Sequence, residues 1–215
     1  LEPMVEVATP VGRIAYGPVT ADAVPDLFDA LVAGGDHPLC HGPTEEIPWL
    51  RDQERLTFAR VGVIDPLDLA DYEAHGGLAG LRRALAMAPP DICAEVKESG
   101  LRGRGGAGFP AGIKWQTVLD QPDGPKYVCC NADEGDSGTF ADRMLMEGDP
   151  FLLLEGMAIA GLATGAETGY VYVRSEYPAA VATLRAAVDA LEDAGVLGAD
   201  VMGSGRRFRV EVRMG

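Results

Sequence analysis

The densest chemistry in this chain of 215 residues lies in Ser99 through Pro110, SGLRGRGGAGFP, where Gly103, Gly105 and Gly108 satisfy the pattern GxGxxG. Five glycines fall between Gly100 and Gly108, with Arg102 and Arg104 among them and Lys114 just beyond. Residues without a Cβ let successive main-chain N–H groups turn toward one oxygen-rich group, and the cations add positive charge. A phosphate fits that description. The dinucleotide version of the motif needs a strand before the loop and a helix after it. Here Asp91 to Glu98 reads as a helix, and Pro110 and Gly112 interrupt the stretch after the loop. The expectation is therefore an anion cradle from Gly103 through Arg104, Gly105, Gly106 and Ala107 to Gly108, rather than an ordinary Rossmann loop. Phe109 offers a ring edge to a planar ligand, whereas Trp115 reads as a core residue.

A second constellation, Asn131-Ala132-Asp133-Glu134-Gly135-Asp136-Ser137-Gly138, comes after the strand-like run Tyr127 to Cys130. In an open parallel sheet the carboxyl ends of the strands border the ligand crevice. Asn131, Asp133, Glu134 and Asp136 thus stand where hydroxyls and ring N–H groups would be read. Such donors occur on a ribityl chain, on flavin N3, and on the ribose and carboxamide of a nicotinamide; a bare phosphate would be repelled. A calcium loop is excluded, since the third ligand of the required series and the Glu at the twelfth position are missing.

The elements that must place these groups form an α/β pattern. Asp149-Pro150 suits a helix start, with Asp as cap and Pro in the first turn, and the helix after it is apolar nearly all round, as in a layer sandwiched between others. Tyr170 to Val173 reads as the next strand. Pro178 opens a helix with Val181, Leu184, Val188 and Leu191 on one face, ended by Gly195, and Phe208, Val210 and Val212 alternate with Arg207, Arg209 and Glu211 as a third strand. Strand, helix, strand, helix, strand predicts right-handed crossovers and a Rossmann-like parallel sheet flanked by helices. Upstream, Arg51 to Arg60 and Pro66 to Met87 carry short helical patterns that read as a helical layer. Residues 1–35 alternate through Val5, Val7 and Ile14 and then give a helix over Ala23 to Val32, too little for a core of its own. The His-, Pro- and Gly-rich run from Asp36 to Pro48 reads as a linker, so the expected division is 1–35, a linker over 36–60, and a main domain over 61–215.

Composition narrows the function classes. With 47% hydrophobic and 24% charged residues the chain is globular, and 18 Lys and Arg against 33 Asp and Glu leave a formal charge of −15. That surface repels nucleic-acid phosphates and anionic lipid, so neither nucleic acid nor membrane insertion is expected. Cys40, Cys93, Cys129 and Cys130 match neither a zinc site nor a disulfide ladder, and read as reduced thiols of a cytoplasmic protein. His37, Cys40 and His41 lack a fourth metal ligand nearby, no metal-binding residues are assigned, and no hydrolytic triad stands out. Starting at Leu1 and stopping after a strand-like run, the sequence reads as a piece of a longer polypeptide.

Ser99 through Trp115, SGLRGRGGAGFPAGIKW, with CNADEGDSG over Cys130 to Gly138 and Asp142-Arg143, resembles the flavin- and NADH-binding subunit shared by respiratory complex I, NAD-reducing hydrogenases and NAD-dependent formate dehydrogenases. The resemblance extends over residues 60–215 and includes Ile64-Asp65-Pro66, Tyr72, Gly76-Gly77 and YVRSEY over Tyr172 to Tyr177. It implies that the loop from Gly103 to Gly108 cradles FMN, that Phe109 and Lys114 lie by the flavin and nicotinamide, and that Asn131, Asp133 and Glu134 contact FMN. Where the complex I version has Glu in NADESEPG and uses it for NADH, this chain has Asp136, one methylene shorter. No protein acid or base is implied for hydride transfer, so no catalytic residue is assigned.

The N-terminal part resembles the tail of a thioredoxin-like iron–sulfur domain, and GPTEEIPWLRDQERLTFAR over Gly42 to Arg60 is most similar to the β subunit of a soluble, molybdenum-containing formate dehydrogenase. That resemblance implies a diaphorase module passing electrons between iron–sulfur clusters and NAD via FMN. The cofactors implied are FMN and NAD, a 4Fe–4S cluster in a further C-terminal part, and a molybdenum cofactor in a partner. The partners implied are NAD(H), a 2Fe–2S thioredoxin-like γ-type subunit and a molybdenum- and iron–sulfur-containing α-type subunit. The corresponding subunit of a hydrogenase or of complex I is the alternative within the family, and a flavin-less electron-transfer adaptor is the alternative outside it.

Overall fold

The computed structural model describes residues 1–10, 12–136 and 138–215, which divide into two compact units, Leu1–Leu56 and Thr57–Gly215. In the first, β1 (Val5–Thr9) pairs antiparallel with β2 (Gly12–Tyr16), and the alternating Val5, Val7 and Ile14 lie in these strands. Helix α1 (Val24–Ala33) starts with Pro25 in its first turn and ends at Gly34, whose φ of +66° suits a residue without a Cβ. Tyr16, Val19 and Leu27 form a small core beneath it. The expected linker is corrected here: β3 (Cys40–Pro43) pairs antiparallel with β2 through Ile14 and Pro43, and α2 (Pro48–Arg51) comes next. Its His, Pro and Gly residues imitate a linker because a short edge strand tolerates them. The unit boundary falls at Leu56, inside the 36–60 segment.

In the second unit, α3 (Leu69–Ala74) is capped by Asp68, whose carboxylate accepts from the amides of Ala70 and Asp71. Helix α4 (Ala79–Leu85) is next, then α5 (Pro89–Glu98) and α6 (Ala111–Leu119). The helical layer is therefore present over Pro66 to Met87, but no helix continues the Arg51 to Arg60 pattern beyond α2. Then come β4 (Tyr127–Ala132), α7 (Ala141–Gly148), α8 (Pro150–Thr164), β5 (Thr168–Val173), α9 (Pro178–Asp193) and β6 (Arg209–Met214). The strands lie in the order β4-β5-β6, all parallel, with Cys130 beside Val171 and Val171 beside Val212. The α/β architecture with a parallel sheet is as expected.

Burial alternates across this sheet. Ala132, Val171, Val173 and Val210 are buried and point toward one face, while Tyr127, Cys129, Asn131, Tyr172 and Glu211 are exposed on the other. The strand expected over Tyr127 to Cys130 is thus half-buried on one face and exposed on the other. Helix α8, with Phe151, Leu154, Ala158 and Leu162 among its buried residues, joins the core of the unit, which explains its lack of a polar face. Its one charged residue, Glu155, is buried and satisfied: it accepts from the Tyr72 hydroxyl at 2.5 Å and from the amides of Leu78 and Leu81 at 2.8 and 2.9 Å, so it fastens the start of α4 to α8. Asp149 precedes α8 as expected, yet its carboxylate makes no capping bond and instead meets the Arg60 guanidinium at 2.9 Å. Burial pushes the Asp149 carboxyl up, and Arg60 opposes that shift.

Candidate functional site

The glycine-rich loop connects α5 to α6. Its neck is closed by an antiparallel bridge between Arg102 and Pro110, by the Gly103 amide donating to the Phe109 carbonyl at 2.8 Å, and by the Ala111 amide donating to the Leu101 carbonyl at 2.9 Å. The Arg102 guanidinium donates to the Gly108 carbonyl at 3.0 Å, so this cation braces the loop from within. Between these ties, the amides of Arg104, Gly105, Gly106, Ala107, Gly108 and Phe109 have no partner among the described residues. Gly106 and Gly108 adopt φ of +96° and +60°, where L side chains are strained. Chain neighbours aside, a Cβ built on Gly105, Gly106 or Gly108 would meet nothing within 4 Å among the described residues, which leaves the space beside them open.

The sequence-based objection to a helix after the loop is overturned. Pro110 occupies the N-cap position of α6 and Gly112 sits in its first turn. A Cβ at Gly112 would lie 2.4 Å from the Lys97 nitrogen and 2.7 Å from its Cα, so glycine there allows α5 and α6 to approach closely behind the loop. The residue breaks no helix; it packs two together. Helix α5, not a strand, precedes the loop, as read from Asp91 to Glu98.

Arg104 and Lys114 are exposed, and neither side chain has a hydrogen bond or ion pair among the described residues. They remain available for an anion, while Arg102 is partly committed to the loop itself. Phe109 is 51% exposed at the loop's end, and Trp115 packs partly buried against the core, as expected.

The acidic turn leaves the carboxyl end of β4. Asn131 accepts from the Asp133 amide through its side-chain oxygen at 3.1 Å, which curls the turn. Asn131 and Asp133 line an open cavity of about 520 Å³ with Cys129, Cys130, Tyr170 and Tyr172. The residues of the glycine loop are not among its lining. The exposed Asp136 carboxylate has no hydrogen-bond partner or ion pair among the described residues, and Ser137 lies outside those residues. Sequence reasoning assigns no site role to Tyr170 or Tyr172; their alternation with Gly169, Val171 and Val173 carries the signal, because it puts two aromatic rings on the face that β4 shares with Asn131.

Glu134 behaves differently from its neighbours. Its φ is +47°, and its carboxylate accepts from the amides of Asp142 at 2.8 Å and Arg143 at 3.2 Å and from the Tyr177 hydroxyl at 3.0 Å. Burial pushes its carboxyl up, but these donors outweigh that and hold it below the usual carboxylate range. The same carboxylate, with burial foremost, pushes Asp142 and Tyr177 up. Cys130 is pushed up to about 11, chiefly by burial, and so stays a thiol. Among the described residues no cluster of His, Cys, Asp and Glu could hold a metal ion, and no helix is long and apolar enough to cross a membrane.

A family model described as the Nuo51 FMN-binding domain matches residues 96–215. An NADH-quinone oxidoreductase subunit of Rhizobium meliloti (strain 1021) is 49% identical over 163 residues, covering 75% of this chain and 39% of that protein. The NADP-reducing hydrogenase subunit HndC of Solidesulfovibrio fructosivorans is 47% identical over 77% of this chain and 34% of its own length. A chain of NAD⁺-reducing [NiFe]-hydrogenase solved in the H2-reduced state superposes with a TM-score of 0.57 at 25% identity, over 94% of this chain and 32% of that one. The chain thus spans between a third and two fifths of the length of these curated relatives.

Proposed function

Because the chain belongs to the Nuo51 FMN-binding domain family, we propose that it is the FMN- and NADH-binding part of a diaphorase subunit in a multisubunit NAD-linked oxidoreductase. The observation that carries this reading is the run of six amides from Arg104 to Phe109 without a partner among the described residues, held in a loop closed at its neck and flanked by the cations Arg104 and Lys114, likewise unpaired among those residues. That donor set fits the phosphate of FMN. The cavity beside Asn131 and Asp133 presents acceptors and two tyrosine rings to a planar, hydroxyl-bearing group. Asp136, without a partner on the same turn, is assigned to NADH.

Bound FMN would supply the exchange of a hydride with NAD(H) and of single electrons with iron–sulfur clusters, while the protein positions the rings and tunes their surroundings. This chain's own residues bind, orient and shield. The amides of residues 104–109 would fix the phosphate end, Asn131 and Asp133 would accept from the ring and ribityl donors, and Phe109 and Lys114 would lie by the flavin and nicotinamide.

In its finer form the reading places the chain in an NAD-dependent formate dehydrogenase, on the likeness of Gly42 to Arg60 to that β subunit. A 4Fe–4S cluster would sit in the C-terminal part of the full protein, the molybdenum cofactor in an α-type partner, a 2Fe–2S cluster in a γ-type partner, and the complex in the cytoplasm. The first unit, a three-stranded antiparallel sheet with a helix between its second and third strands, would be the end of a thioredoxin-like domain. A hydrogenase-type assembly is the second reading, favoured by the superposition that spans both units of this chain.

The full-length protein, purified from its source, should be yellow and reduce ferricyanide with NADH. A colourless protein inactive with NADH would support the adaptor reading instead. Asp136→Asn should raise KM for NADH more than it weakens FMN; an unchanged KM removes Asp136 from the site. Reduction of NAD⁺ by formate in the isolated complex, and not by hydrogen, would identify the partner.

A further inference from the structure

The two turns that leave the carboxyl ends of β4 and β5 are joined through one residue. Parallel pairing sets Ala132 beside Val173, so the acidic turn and the turn Arg174 to Glu176 emerge at the same edge of the sheet. Glu134 bridges them twice. Its main-chain carbonyl accepts from the Arg174 guanidinium at 2.9 Å, and its carboxylate accepts from the Tyr177 hydroxyl at the head of α9.

The same carboxylate also holds the start of α7. That helix begins after Phe140, which has φ of +53° and no side-chain capping bond. The amides of Asp142 and Arg143 are instead satisfied by Glu134, eight and nine residues away along the chain. A carboxylate doing what a local cap would do gains charge-assisted bonds at the positive end of the helix. Tyr177, only 5% exposed, is flanked by the guanidinium groups of Arg143 and Arg174 at 5.4 and 5.3 Å from its ring centre. Glu134 therefore has three protein donors on its carboxylate and one on its carbonyl, and a left-handed backbone that such a surround sustains.

We propose that Glu134 is a positioning residue rather than a flavin ligand: it locks the acidic turn, the start of α7 and the turn after β5 into one body, and so sets where Asn131, Asp133 and Asp136 face their ligands. The proposal rests on the reading that those neighbours bind FMN and NADH, but the lock itself is present without them. It predicts that groups remote from the ligand weaken flavin binding through Glu134.

The test uses the full-length protein with Glu134→Ala, Glu134→Gln, Tyr177→Phe and the double variant Glu134→Ala/Tyr177→Phe. In the flavin-free protein, Glu134→Ala should lose hydrogen-exchange protection at the Asp142 and Arg143 amides, and Glu134→Gln, which keeps one of the two acceptor oxygens, should retain it at one of the two. FMN affinity should fall at least tenfold in Glu134→Ala, fall less in Tyr177→Phe, and recover in part in Glu134→Gln, which keeps one acceptor oxygen. The double variant should be no weaker than Glu134→Ala alone, because both substitutions break one network. Retained exchange protection in Glu134→Ala overturns the lock even if FMN binding fails for other reasons. A Tyr177→Phe variant with wild-type FMN affinity, or additive losses in the double variant, overturns the positioning role and returns Glu134 to the ligands. If the wild type binds no FMN, the functional reading fails while exchange still decides the lock.

Discussion

Replacing Gly106 with Val separates the cost of a loop's backbone from the cost of losing its ligand. Gly106 sits at φ of +96°, and a Cβ there would meet no atom of the described residues within 4 Å outside its chain neighbours. Forcing a β-branched residue into the left-handed region costs about 1–2 kcal/mol, and the Cβ adds no clash with the described residues outside its chain neighbours. For a domain of this size each kcal/mol lowers Tm by roughly 2–4 °C, so the variant should melt about 2–8 °C lower and remain folded. The space that the new side chain enters is the space assigned to the phosphate. Charge-assisted hydrogen bonds contribute about 1.5–3 kcal/mol each, and losing two of the free amides would cost about 3–6 kcal/mol of binding. That corresponds to FMN affinity weaker by roughly two to four orders of magnitude. Thermal melting of the flavin-free protein and fluorescence titration with FMN measure the two quantities on one sample. A variant that melts as expected and still carries a full complement of flavin refutes the assignment of these amides.

Other substitutions probe the supports. Gly112→Ala puts a methyl group against the Lys97 backbone, and such overpacking costs about 1–3 kcal/mol, so it should lower Tm and weaken FMN together; wild-type Tm would show that α5 and α6 do not need their close approach. Iodoacetamide at about pH 8 should label the exposed Cys40 and Cys129 and spare Cys130, whose thiol is pushed up to about 11, and FMN should protect Cys129; equal labelling of Cys129 with and without FMN would exclude the cavity beside Asn131 as its site. Glu134 is held below the usual carboxylate range, so its folding contribution is present above that range and lost as pH falls through the lowered value. Glu134→Gln should therefore flatten the acid side of the stability profile, and an unchanged profile would show that its donors do not favour the charged form.

Much of the second unit was legible because its signals are local. The alternation of Phe208, Val210 and Val212, the uniform apolarity after Asp149-Pro150, and the stripe of Val181, Leu184, Val188 and Leu191 each reflect the period of one element, and β6, α8 and α9 stand where those periods put them. The misreadings came from tertiary context. Gly112 looks like a helix breaker until Lys97 is placed against it, and Cys40 to Pro43 looks like a linker until β2 supplies its partner. Asp149 has the sequence position of a cap, yet Arg60, 89 residues earlier, takes its carboxylate. Glu134 reads as one more acid in an acidic turn, since nothing local announces that its donors come from Asp142, Arg143 and Tyr177.

The central claim is that the main-chain amides from Arg104 to Phe109 hold a phosphate. Comparing FMN with riboflavin, which lacks only that group, on the flavin-free full-length protein tests it most directly. The account predicts that FMN binds at least a hundredfold tighter than riboflavin, and that Gly106→Val abolishes the difference by weakening FMN alone. Equal affinity for the two in the wild type would contradict it.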